Sequence, residues 1–318
     1  MATPPTNPHD AYFRQVMSRP ADAAGELRAI LPKAVAARLD WNALELQPCS
    51  FVSQQLHSRY SDALFRTRLE DHEAYIYCLI EHQSRPDRMM AKRMSGYVDR
   101  IWDRYLGQHP DSETLPLVIP VVVHASPDGR HWNTPTQLSD LLDVDHDTRV
   151  ALADYLPRFG FLLDDLTTVD IAELSARKLT EPAFVLLSLL KIVPGNHHLD
   201  VDLLPLAEHL RELLGSDELE APITYILTVG ETSVPALAPL IDQLGPRAKE
   251  VLMTTGEQLR AEGEARGQAR ILLKQLALKF GTLPVSLEST IRIADTGHLE
   301  LWAARLITAE TLDEVFGS

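Results

Sequence analysis

Residues 74–84 read AYIYCLIEHQS, an apolar and aromatic run that ends abruptly in Glu81, His82, Gln83 and Ser84. A short run of this kind, rich in Tyr and Ile, predicts a strand covered on both faces rather than a surface strand with one wet side. Side chains alternate along a strand, so Tyr75, Tyr77, Leu79, Glu81 and Gln83 share one side, opposite Ile76, Cys78, Ile80 and His82. A carboxylate and an amide therefore leave the buried run together.

The flanking sequence builds a sheet around this strand. Upstream, Tyr60–Leu69 forms a second candidate strand, joined to Ala74–Gln83 through the charged turn Glu70-Asp71-His72-Glu73. Downstream, from about Pro86, the period becomes helical. Met90, Met94, Ile101 and Tyr105 recur on one face, and Arg93, Tyr97, Arg100 and Arg104 on another. LPLVIPVVVHAS then supplies a third strand, Leu117–His124, in which Pro120 implies a strand end, an edge or a bulge. With a mostly helical stretch from Ala11 to Leu44 ahead of them, these elements predict a compact α/β domain over residues 1–145.

Residues 146–245 read as an acidic, mainly helical region broken at Pro157, Pro194-Gly195 and Pro222, and residues 246–318 as a C-terminal helical region. In the latter, Gly263 and Gly267 stand four apart in LRAEGEARGQAR, which weakens a helix interior and also permits close helix contact. An association element between copies of the chain and a solvated local helix are both open readings.

Composition restricts the function. A chain of 318 residues, 45% hydrophobic and 24% charged, suits a soluble protein with a sizeable core. No apolar run is long enough for a membrane span. The start MATPPTNPHD has neither the basic nor the apolar region of a secretory signal. Two cysteines make neither a disulfide framework nor a zinc cluster, so a cytoplasmic setting is expected. The net charge of −15 argues against a nucleic-acid partner, but its distribution weakens the objection and permits a local DNA-facing surface without demanding one. Residues 1–110 carry 14 Lys and Arg against 13 Asp and Glu, whereas residues 111–245 carry 7 against 22.

The chemistry is concentrated at the polar end of the buried strand. Asp62 lies at the start of the preceding strand, and a hairpin can bring it beside Glu81. Two carboxylates converging there would suit Mg²⁺ or Mn²⁺, hard ions that prefer oxygen ligands. Gln83 would orient water or donate to a phosphate oxygen; its plain alternative is to cap the strand end. Arg93, Arg100 and Arg104, with Lys92 at their margin, form either a phosphate-facing stripe or a solvated helix face.

The segments LDWNALELQPCSFV, YSDALFR, YIYCLIEHQSRPD, MAKRMSGYVDRIW and LPLVIPVVVHASPDGRHW occur in that order. Together they resemble the recombination-promoting nuclease family, also described as transposases, of the PD-(D/E)xK nuclease superfamily. The resemblance runs from Pro8-His9-Asp10 to about Pro135 and continues into MTTGEQLRAEGEARG. It implies a restriction-endonuclease-like core, Asp62 and Glu81 as metal ligands, and Gln83 where the superfamily usually has lysine. It also implies metal-dependent hydrolysis of DNA phosphodiesters in the service of recombination. The alternative is a nuclease-fold DNA-binding or regulatory protein whose catalysis is weak or lost. After the last strand the family's expected ending departs to His124-Ala125-Ser126.

Overall fold

A computed structural model describes residues 7–48, 62–81, 86–126, 128–213 and 220–317; at positions 62 and 79–81 it describes the backbone alone. Two helices open the chain, α1 (Pro8–Met17) and α2 (Pro20–Ile30). Each starts on a proline, whose missing N–H costs nothing in the first helical turn. The Asn7 side chain caps α1 by accepting from the His9 amide at 3.1 Å.

Five strands follow: β1 (Glu45–Gln47), β2 (Asp62–Leu69), β3 (His72–Glu81), β4 (Leu117–His124) and β5 (Leu162–Asp165). They lie side by side in chain order, the first three antiparallel and the last three parallel. β2 and β3 form the expected hairpin with a tighter turn than expected. Leu69 pairs with His72, and only Glu70 and Asp71 make the connection. Glu70 sits in the left-handed region at φ 56°, as a two-residue hairpin loop demands of at least one residue. A parallel connection requires a long crossover, which α3 (Met90–Gln108) supplies between β3 and β4.

The helix α3 covers one face of the sheet. Met90, Met94, Tyr97, Val98 and Ile101 are buried there against Tyr75, Tyr77, Val118 and Val122. Tyr97 is thus a core residue and not part of an outer basic face. It is three residues from Met94 and four from Ile101, so the helical period returns it to their side. Its ring lies 5.3 Å from that of Tyr77. On the other face Ile76, Cys78, Val121 and Val123 are fully buried, and α2 packs against β5. Helix α4 (Glu181–Ile192), apolar all round and buried from Ala183 to Leu190, packs on α1 and α2. Helix α5 (Glu220–Val229) packs on α1 and α4.

Pro120 pairs with Tyr77 on one side, and β5 begins to pair only at Val121. On its β5 side β4 is therefore an edge at the proline, as the missing N–H requires. The described residues between 7 and 249 form one compact unit, so the boundary expected near 145 falls inside it: β5, from the acidic region, completes the sheet.

The described residues 250–317 form the second unit. It contains the larger part of α6 (Pro246–Phe280), with α7 (Val285–Arg292), α8 (Thr296–Thr308) and α9 (Leu312–Phe316). Its core gathers Leu272, Leu276, Ile291, Leu299 and Val315. No helix among the described residues is long and apolar enough to cross a membrane.

Candidate active site

The sheet register sets the geometry of the site. Asp62 pairs with Leu79, Leu79 with Val122, and Glu81 with His124, which pairs in turn with Asp165. Laterally paired positions lie on one face, and alternate positions return to it. Positions 62, 81, 124 and 165 therefore lie on the Tyr77 face, the face that α3 covers. Positions 62 and 81 are diagonal neighbours on adjacent strands, an arrangement that separates backbones by about 7–8 Å. Positions 81, 124 and 165 form a lateral row with strands about 4.8 Å apart, at the carboxyl ends of the parallel strands. Open parallel sheets bind ligands at that end.

Strand pairing thus makes positions 62 and 81 diagonal neighbours. Gln83 lies outside the described residues, as does His82. Among the described residues no three His, Cys, Asp or Glu side chains converge as a metal group. The donor set that Asp62 and Glu81 offer is all oxygen, which fits a hard divalent cation.

Two further residues complete the row. His124 is fully buried, and its Nε2 lies 3.0 Å from the Arg130 carbonyl oxygen. A carbonyl only accepts, so Nε2 carries the hydrogen. The ring packs edge-on against Trp132 with centroids 5.2 Å apart. Asp165 accepts from the Trp132 amide at 2.8 Å, from the Thr167 amide at 3.1 Å and from the Thr167 hydroxyl at 2.5 Å. Because that hydroxyl donates to Asp165, His131 Nδ1, 2.9 Å away, donates to it in turn. Asp165 is committed to holding the segment after β4 against the end of the sheet. A polar strand ending, VVVHAS, was the one sequence signal for His124; nothing local marked Asp165.

The basic residues of α3 divide into two groups. Lys92 is exposed in the first turn of the helix. Arg93 is half-buried, ion-paired to Asp87 at 2.6 Å and donating to the Tyr97 hydroxyl at 3.1 Å. Arg104 stands twelve residues beyond Lys92, about 18 Å along the axis. Trp102 Nε1 donates to the carbonyl of Pro116, just before β4 begins, so this part of α3 lies toward the end of the sheet opposite Glu81. Arg100 is exposed, with its guanidinium 6.0 Å from the Tyr97 ring. A polyanion touching Lys92, Arg100 and Arg104 together would have to run along the helix.

The family comparison covers most of this mixed α/β unit. Residues 7–221 match the family described as "Putative transposase, YhgA-like", and the chain belongs to that family. It is similar to recombination-promoting nuclease RpnA of Escherichia coli K12, 30% identical over 308 residues that cover 94% of this chain and 97% of the relative. It is also similar to the inactive recombination-promoting nuclease-like protein RpnE of the same strain, 31% identical over 270 residues, 82% of this chain and 84% of the relative. Recombination-promoting nuclease RpnD of E. coli O157:H7 is 29% identical over 262 residues, 80% of this chain and 94% of that relative. No solved structure matches.

Proposed function

We propose that this chain is a nuclease acting in DNA recombination, a divalent-cation-dependent endonuclease built on a PD-(D/E)xK-like core. The observation that carries the reading is the register, which sets positions 62 and 81 as diagonal neighbours on one face at the carboxyl end of β3. The recombination-promoting nucleases among its relatives supply the substrate class. Asp62 and Glu81 would hold the cation, Mg²⁺ or Mn²⁺. When bound, such an ion lowers the pKa of water and stabilises charge on a scissile phosphate. Gln83 can donate or accept a hydrogen bond but cannot act as an ordinary base, so its role is to orient the attacking water or a phosphate oxygen. Lys92, Arg93, Arg100 and Arg104 would line the path of the backbone along α3, with Arg93 held by Asp87 and Tyr97.

The test is cleavage of supercoiled plasmid by the full chain with Mg²⁺ or Mn²⁺ and with chelator. Metal-dependent nicking that disappears in Asp62→Ala, with the fold retained by circular dichroism, supports the reading. Undiminished nicking by that variant overturns it. A second reading, DNA binding without cleavage, is favoured by the 31% identity to a relative named inactive. It predicts salt-sensitive binding and no nicking under any metal.

A further inference from the structure

The polar end of the sheet poses an electrostatic problem that α3 does not solve alone. Asp62, Glu81 and Asp165 belong to it by register, and Asp128 follows on the segment after β4. A phosphodiester approaching this end meets a concentration of carboxylates, and its binding calls for fixed cations close by. Lys92 is one. Arg93 is only 15% exposed at its side chain and is already engaged by Asp87 and Tyr97.

The segment after β4 carries another. Arg130 has a side chain 56% exposed, and its ion-pair distance to Asp128 is a loose 3.7 Å. Its backbone is nonetheless fixed in three ways. The Arg130 amide donates to Ser126 Oγ at 3.2 Å, and the Gly129 amide to the Ser126 carbonyl at 3.0 Å. Gly129 adopts φ +65°, which a glycine takes without strain. The third is the ring of His124, donating from Nε2 to the Arg130 carbonyl. His124 is the lateral partner of Glu81, so this bond ties Arg130 to the strand position next to a proposed cation ligand.

From this juxtaposition we infer that Arg130 is a phosphate-contacting residue of the site, and that His124 is the positioning residue that holds it there. The inference rests on the reading of Asp62 and Glu81 as the centre of a DNA-cleaving site. A guanidinium offers paired N–H donors matched to two phosphate oxygens, and a phosphate arriving from solvent replaces the loose Asp128 contact. His124 acts through the backbone: its loss frees the Arg130 carbonyl and lets the segment move while leaving the Arg130 side chain chemically intact.

The experiment uses the full-length chain, a fluorescent DNA duplex and a series of salt concentrations, with binding measured in chelator and cleavage in Mn²⁺. Arg130→Gln, a change at an exposed side chain, is expected to weaken binding about three- to tenfold. It should reduce the slope of log affinity against log salt by about one, the signature of one lost phosphate contact. In cleavage the loss appears in KM rather than kcat. His124→Leu should reproduce the KM rise, His124→Gln should recover part of it through its amide donor, and the His124→Leu/Arg130→Gln pair should be less than additive. Wild-type affinity and salt slope in Arg130→Gln, in a chain that does bind and cut DNA, overturn the assignment of Arg130 alone. Undiminished cutting by Glu81→Gln instead overturns the reading of the centre, and failure of the unmodified chain to bind DNA overturns both.

Discussion

Replacing Arg177 by Met tests how the sheet is closed on its far side. Arg177 follows β5 and reaches two buried acids, Glu26 on α2 at 3.0 and 3.1 Å and Asp164 on β5 at 2.7 and 2.8 Å. The Glu26 side chain is wholly buried and that of Asp164 is 8% exposed. Burial, reinforced by the Asp164 charge, pushes the Glu26 carboxyl well above the usual carboxylate range, and Arg177 opposes that rise. Removing one partner of a buried ion pair costs about 3–5 kcal/mol, because the remaining charge has no water to replace it. For a unit of this size each kcal/mol shifts Tm by about 2–4 °C, so the expected fall is about 6–20 °C.

Trp41, Trp102 and Trp132 lie in the first unit and Trp302 in the second, so fluorescence in a Trp302→Phe background reports the first alone. The sign of the pH dependence follows from Glu26. Its raised folded pKa gives a contribution to stability present at low pH and lost as pH rises through the folded value. Without Arg177 the loss extends to higher pH, so the variant's deficit is larger at pH 8 than at pH 5. Glu26→Gln keeps a neutral hydrogen-bonding group and should flatten that trend. A Tm within 2 °C of the parent at pH 8 would refute the reasoning.

Three other expectations follow. His9 is held down at about 4 by burial, so it stays neutral in the fold and stability should fall as pH drops from 6.5 toward 4. His9→Gln, which keeps an acceptor for the Tyr225 hydroxyl 2.7 Å away, should show a shallower acid loss in pH-dependent unfolding. Cys78 is fully buried, and burial, with the Glu26 and Asp164 charges, pushes its thiol up; in a Cys49→Ser background it should react with a thiol reagent only at the rate of unfolding. Tyr97→Ala should destabilise the first unit by about 3–5 kcal/mol in urea unfolding, the cost of emptying an aromatic site in a packed core.

The sequence made β3 and β4 legible because both are buried on two faces and read as unbroken apolar runs. The hairpin was legible from its charged turn, although the turn proved two residues long. β1 and β5 were not, for they have three and four residues, and half of β5 is Asp164 and Asp165. A strand so short has no period to read, and its acids look like a loop until the sheet and Arg177 are in place. The site shows the same division. Asp62 and Glu81 stand at the ends of recognisable strands, whereas the neighbourhood of Glu81, His124 and Asp165 is created by register between segments more than forty residues apart. Tyr97 stands among arginines in the sequence, but the helical period puts it with Met94 and Ile101 in the core.

Binding of Mn²⁺ to the full chain, followed by electron paramagnetic resonance as free ion is titrated in, tests most directly whether the two strands bring Asp62 and Glu81 to one cation. The account predicts one site per chain, lost in Asp62→Ala and lost again in Glu81→Ala, with both variants folded. An undiminished site in both would contradict it.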